Sequence, residues 1–409
     1  MGFCPQCRSS GTIGDTAGAT PIPVTSLRDL PEHRISTGID ELDRAFGGGI
    51  VVGSVALLAG EPGVGKSTLV LGAAARMGKK TLVVSGEESA GQIKMRASRI
   101  GALVDTVSVA VASDAEAIVA MIEGGGYQLV VIDSIQTVSV AGVAAGTPAQ
   151  VRQAAAMLLA AAKASDTALL MTGHVTKEGS IAGPKLLEHM VDVVVTMEGD
   201  PHRGLRFVRC AKNRYGSVDE VGIFEMTATG LVAVPDASAS LIAGRDPQAP
   251  GSVLFPTIDG MRSLVVEIQS LVVPSNHAQP RRSVKGLPSA RVHQILAALE
   301  RHAGLALGRF EVYVSAMGGL RITEPAADLA VALAVASAAS GVAISDVAAW
   351  GEVGLTGELR AVPHAGRRRI EAERIGLGGV IDGAAYGHLL DALVESGLAA
   401  ATVGADSVA

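Results

Sequence analysis

The stretch GEPGVGKST occupies residues 60–68, between the apolar run VVGSVALLAG (51–60) and the helix-forming run LVLGAAARM (69–77). A strand, a glycine-rich loop and a helix in that order form a cradle for an anionic phosphate chain. The glycines let backbone N–H groups turn inward, and the helix adds the positive end of its dipole. Gly60, Glu61, Pro62, Gly63, Val64, Gly65, Lys66, Ser67 and Thr68 are therefore assigned to nucleotide binding. Lys66 is expected to reach the β- and γ-phosphates of ATP, and the Ser67 hydroxyl to ligate Mg2+.

Composition narrows the class. The chain has 409 residues, enough for two ordinary domains, with 48% hydrophobic and 18% charged residues, which excludes a disordered protein. Aromatics make up 3%, so the core must be built from Ala, Val, Leu and Ile. A net charge of −6 excludes a globally basic, histone-like binder and leaves local Lys/Arg loops free to contact nucleic acid. The three cysteines, Cys4, Cys7 and Cys210, are too few and too uneven for a disulfide framework. Met1 leads into a polar stretch without the pattern of a secretory signal, and the longest apolar run, 329–344, is short and rich in Ala and Ser. A cytoplasmic protein with no membrane span is expected.

Along the chain, residues 1–30 read as a loose leader. Residues 31–235 alternate β-rich and Ala-rich runs. Strands are predicted at 54–58, 81–85, 106–111, 129–132, 168–172, 191–197 and 205–211, and helices at 67–77, 90–100, 115–123, 149–164 and 185–190. That alternation predicts a parallel sheet covered on both faces, with ligands beyond the carboxyl ends of its strands. PDASASLIAGRDPQAPG (235–251) reads as a linker, placed at 236–250, and 251–409 as a second α/β domain. In that domain strands are expected at 264–272 and 310–315, helices at 289–304 and 328–340, and a loop carrying Arg281, Arg282 and Lys285.

Two acidic positions complete the expected ATPase chemistry. LVVIDS (129–134) ends an apolar strand in Asp133, where Mg2+ or its water shell needs a carboxylate. VVSGEES (83–89) places Glu87 and Glu88 just after another strand. One of them is expected to position the attacking water, and Glu87 is favoured; acidic residues before a helix also suit its N-terminus. Cys210, inside a predicted strand, reads as a small buried hydrophobe.

STGIDELDRAFGGGI (36–50), the phosphate loop and SGEES resemble the RecA-type ATPase core of ring-forming motors. TGHVTKEGSIAGPKLLEHMVD (172–192) and KNRYG (212–216) narrow the resemblance to the RadA (Sms) family of bacterial DNA repair proteins, over residues 33 to 409. That family usually has Phe where Tyr215 stands. The resemblance implies ATP held between subunits of a homo-oligomer, a hexameric ring, with Lys212 and Arg214 supplied by a neighbour to the γ-phosphate. It implies that His174 senses that phosphate, and that Lys177 and Lys185 flank a DNA-contacting loop. It implies a DNA-dependent ATPase, a helicase-type motor that processes branched recombination intermediates on single-stranded and branched DNA alongside RecA. The family carries an N-terminal four-cysteine zinc finger; FCPQC (3–7) supplies one pair, Cys4 and Cys7, so zinc binding is not expected here.

Residues 310–336 and 351–376 resemble the proteolytic domain of Lon, with its serine position at Ala326 and its lysine position at Gly366. Without hydroxyl or amine, that domain is expected to be proteolytically inactive. Arg367, Arg368 and Arg369 suggest either a basic patch or a helix face paired with Glu371 and Glu373; Arg281, Arg282 and Lys285 suggest a DNA-contacting face. Two rival readings stay open: an ATP-dependent Lon-like protease, and an ATP-regulated DNA-binding scaffold.

Overall fold

The computed structural model describes residues 2–3, 10–11, 33–174, 187–199 and 204–398, the first two pairs by backbone alone. The chain divides into two compact units, Met1–Pro235 and Asp236–Ala409.

In the first unit the apolar runs become strands β1 (Val55–Gly60), β2 (Thr81–Ser85), β3 (Val107–Val111), β4 (Leu129–Asp133), β5 (Ala168–His174), β6 (Val193–Gly199) and β7 (Leu205–Asn213). Two further strands, β8 (Val221–Thr227) and β9 (Gly230–Ala233), close the series. The sheet order is β9-β8-β7-β6-β1-β5-β4-β2-β3. β6, β1, β5, β4, β2 and β3 run parallel, whereas β7, β8 and β9 are antiparallel additions at one edge. The sheet is therefore parallel-dominant, as the alternating pattern predicts, with an antiparallel edge added. β8 and β9 are joined through Thr227 and Gly230, a turn too short for a helical crossover.

Burial on both faces explains why β1, β2, β4 and β5 read as apolar runs, whereas edge strand β3 is partly exposed. Side chains alternate across a strand, and here the alternation sorts them into two cores. Ala56 and Leu58 of β1 join Val83, Val131 and Leu170 in a core shared with α1 (Asp40–Ala45), α2 (Lys66–Arg76) and α3 (Ala90–Arg99). Val55, Leu57 and Ala59 join Val84, Ile132 and Met171 against α4 (Ala115–Gly125) and α5 (Pro148–Ala164). Capping places the helix starts: Ser89 and Gln92 form a reciprocal box on α3, and the Asp114 side chain caps α4. Cys210 is buried, as its strand position predicts.

The second unit has a six-stranded sheet. Its strands are β10 (Ser252–Asp259), β11 (Arg262–Pro274), β12 (Arg282–Lys285), β13 (Phe310–Ala316), β14 (Val347–Trp350) and β15 (Gly379–Asp382), in the order β12-β13-β11-β10-β14-β15. α7 (Ser289–His302) follows β12, and α8 (Asp328–Ser340) lies buried along nearly its whole length, which accounts for its all-round apolar sequence. Residues 236–250 contain α6 (Ala237–Ile242), whose Ala237, Ser238 and Leu241 are buried; Ser238 Oγ accepts from the Val265 amide at 3.0 Å. Arg282 and Lys285 lie on edge strand β12 and not on a loop, because 282–285 pairs with 312–315 of β13. Arg282 donates to the Phe310 carbonyl and, at 2.8 Å, to that of Leu307.

The run of three arginines reads differently once folded. Arg368, on α9 (Ala365–Arg374), is only 1% exposed, paired with Glu324 and stacked over the Phe255 ring. Arg369 lies 3.8 Å from Asp382 and over Trp350. Neither the basic patch nor pairing with Glu371 and Glu373 describes Arg368. A charge run in sequence says nothing of which member of a helix faces inward.

Candidate functional site

The phosphate loop leaves β1 at Gly60. A Cβ there would stand 2.6 Å from the Met197 carbonyl oxygen, and one on Gly65 would stand 2.7 Å from Met226 Cε. Gly63 and Gly65 have φ of 77° and 118°. The backbone thus requires glycine at these positions by close approach and by positive φ. Gly65 caps α2 without a side-chain acceptor, so the first-turn N–H groups remain for an anion.

Lys66 is 4% exposed, and its Nζ donates to the carbonyls of Gly60 at 2.9 Å and Glu61 at 3.0 Å. The same nitrogen lies 3.1 Å from His174 Nδ1. Burial lowers the Lys66 pKa, against the pull of Asp133 and Glu87. Burial first, and the Lys66 charge next, lower the His174 pKa, so the ring is neutral at pH 7. A neutral ring that accepts from Lys66 at Nδ1 carries its proton on Nε2, 4.0 Å from Glu87 Oε1.

β5 lies between β1 and β4 and bridges their carboxyl ends. Its Thr172 hydroxyl donates to Asp133 Oδ1 at 2.6 Å, orienting the carboxylate at the tip of β4. Ser134 Oγ donates to Glu87 Oε1 at 2.9 Å. Glu88, by contrast, pairs with Arg96 of α3. Glu87 is therefore the acidic residue brought to Lys66, His174 and Asp133. Ser67 opens α2 beside them, and a hydroxyl with a carboxylate is a hard oxygen donor set of the kind Mg2+ accepts. Among the described residues no group of three or more His, Cys, Asp or Glu side chains forms a metal site; Mg2+ needs only one or two carboxylates with water and phosphate oxygens.

Lys212 and Arg214 lie at the other end of the sheet. Lys212 Nζ donates to the carbonyls of Glu188 and, at 2.8 Å, Val191. Arg214 Nη1 is 3.3 Å from Asp192 Oδ1. The other oxygen of that buried carboxylate accepts from the amide of Val55, the first residue of β1, at 3.0 Å. Gly60 is the last residue of β1, about 17 Å further on at roughly 3.3 Å per residue. Tyr215 belongs to the same knot: burial, then the Asp192 carboxylate, push its phenol up to about 12. Within one subunit, neither cation approaches the phosphate loop.

A family model described as "AAA domain" matches residues 21–180. The chain is 45% identical to the "DNA repair protein RadA" of Mycobacterium tuberculosis H37Rv, over 92% of this chain and 83% of that protein. Proteins of the same name from Brucella abortus (44%; 86% and 77% covered) and Halalkalibacterium halodurans (40%; 93% and 88%) agree. This chain belongs to the DNA repair protein RadA family. Its first unit is an AAA-type ATPase domain, and among the described residues no helix is long and apolar enough to cross a membrane.

In this RadA-family chain the Lon-like positions carry no reactive atoms. Ala326 is buried, and Gly366 lies in α9. Arginines occupy the carboxylates on either side of Ala326. Glu324 takes Arg368 together with the Thr257 hydroxyl at 2.6 Å, and Asp328 takes Arg291 with the Val353 amide at 3.1 Å. Cys4, Cys7, Lys177 and Lys185 lie outside the described residues. Thr172 and Ser134 escaped the sequence reading as site residues. Their signal was a polar side chain closing an apolar strand, in LLMT and LVVIDS.

Proposed function

We propose that this RadA-family chain hydrolyses ATP at the seam between subunits of a homo-oligomeric, hexameric ring, and that DNA stimulates the reaction. The observation that carries this reading is the separation of Lys212 and Arg214 from their own phosphate loop. Two cations fixed at the far end of the sheet can serve a triphosphate only when another copy holds it.

The chain's own residues then divide the work. Lys66 exchanges the Gly60 and Glu61 carbonyls for β- and γ-phosphate oxygens, and first-turn amides of α2 take the remaining charge. Ser67 and Asp133 would hold Mg2+, which when bound neutralises charge on the phosphate oxygens. Glu87, held by Ser134, accepts a hydrogen bond from the attacking water and takes its proton. The water oxygen bonds to the γ-phosphorus as the bond to the β,γ-bridging oxygen breaks, giving ADP and phosphate. His174 relays γ-phosphate contact toward the segment beyond β5, where Lys177 and Lys185 are the proposed DNA contacts.

In the second unit, exposed Arg281 and Lys285 are the proposed phosphate contacts, with Arg282 bracing the strand between them. The work of the ring is translocation on single-stranded and branched recombination intermediates alongside RecA. The test is ATP turnover with and without single-stranded DNA across a salt series. Stimulation that fades with salt, at a log–log slope of about −0.7 per phosphate contact, is expected. Turnover indifferent to DNA at every salt concentration would reject the motor in favour of a scaffold.

A further inference from the structure

Arg206 is a buried cation to which the chemistry above gives no part. It lies on β7 and is 4% exposed. Its Nε donates to the carbonyl of Val64 at 3.0 Å, in the middle of the phosphate loop, and its Nη1 donates to the Leu205 carbonyl at 2.9 Å. Room for the stem comes from the facing strand. Gly199 is paired with Arg206, and a Cβ on Gly199 would stand 2.4 Å from Arg206 Cδ.

We propose that Arg206 is a positioning residue that holds the phosphate loop in its anion-binding form from behind. The Val64–Gly65 peptide is trans, so its N–H points away from its C=O. A guanidinium that fixes the Val64 carbonyl on the sheet side therefore aims the Gly65 amide to the opposite side, where α2 begins. Glycine at 65, with φ of 118°, would otherwise let that peptide rotate. A buried guanidinium is stable only where its N–H groups find acceptors, so each end of the contact fixes the other. Arg206 and Lys212 also share β7, so a single strand runs from one subunit's loop to the cations proposed for the neighbour's nucleotide.

This inference rests on the nucleotide-binding reading of the loop, and ligand choice separates the two. Binding of ATP, ADP and adenosine to the full chain is measured for wild type, Arg206→Met, Arg206→Lys and Gly199→Ala, with melting curves alongside. Arg206→Met is expected to weaken ATP and ADP about tenfold and to leave adenosine unchanged, since adenosine has no phosphate for the Gly65 amide. Arg206→Lys restores part of the loss. Gly199→Ala, which displaces the stem, matches Arg206→Met and carries the test alone if the latter does not fold. Wild-type ADP affinity in the folded variants overturns the proposal. So does an equal loss for adenosine, which would mark a merely structural role. A wild-type chain that binds adenosine but gains nothing from phosphates would defeat the underlying reading instead.

Discussion

The two units are both α/β and both present carboxylates and cations near a helix start, yet only one leaves them available for a ligand. In the first unit Lys66 is met by neutral carbonyls and a neutral imidazole, and Glu87 is 51% exposed beside them. Phosphate oxygens can replace carbonyls without breaking an ion pair. In the second unit Asp328 is buried and takes Arg291 through three bonds, two from Nε at 2.9 and 3.0 Å and one from Nη2, while Glu324 takes Arg368. Burial raises the Asp328 pKa, with Arg291 pulling the other way. Those groups are spent on one another. The class of fold is shared, and the chemistry lies in which side chains are already satisfied.

The largest break in that contrast should come from Lys66→Ala, which is expected to abolish hydrolysis, a loss of more than about a hundredfold. Steady-state turnover with a melting curve checks it; a folded variant that still turns over ATP would contradict the assignment. Next is Arg291→Met, which strands the buried Asp328 charge. It should destabilise the second unit by about 2–3 kcal/mol, below the full cost of roughly 3–5 kcal/mol because Arg291 keeps some water. Denaturant unfolding of the full chain reads that loss. ATP affinity of the first unit should not move.

Glu87→Gln sharpens the comparison within the ATPase site. It should lower kcat about a hundredfold while ATP affinity stays within about twofold, since the amide keeps the Ser134 bond but takes no proton. Glu88→Gln, which loses only the Arg96 pair, should cost far less. Similar losses in both would contradict the choice of Glu87 over Glu88.

The smallest effect is pH-dependent. Hydrogen bonds from Arg374, then one from the Ala239 amide, lower the Asp236 pKa from its ordinary 3.8 to about 2. A depressed carboxylate pKa contributes stability above the unfolded value and loses it as pH falls through the folded one. The wild-type advantage over Asp236→Asn should therefore be complete above about pH 5 and vanish toward pH 2. Both partners are near half exposed, so that advantage should stay under about 1 kcal/mol. An advantage that grew on acidification would refute the sign.

Much of this was legible in the residues. A strand buried on both faces must be apolar throughout, and β1, β2, β4 and β5 announce themselves that way. The phosphate loop is legible because its glycines answer to backbone geometry and not to packing. What stayed hidden is what depends on partners distant in sequence. β8 carries Glu225 and Thr227 among apolar neighbours, β9 is only the four residues GLVA, and β10 carries Pro256, so none of the three reads as a clean strand. Arg206 and Arg368 look like surface charges until the fold supplies Val64 and Glu324. The sequence favours Glu87 over Glu88, and the Arg96 pair that occupies Glu88 supplies the reason.

The seam itself can be tested by mixing. Lys66→Ala and Arg214→Ala subunits should each be nearly inactive alone. In mixed rings, an intact phosphate loop on an Arg214→Ala subunit can face the intact Arg214 of a Lys66→Ala neighbour. Recovery of ATP turnover on mixing, rising to a maximum near equal proportions, is the predicted result. Mixtures that never exceed the sum of the two separate variants, despite forming rings, would contradict a site built from two copies.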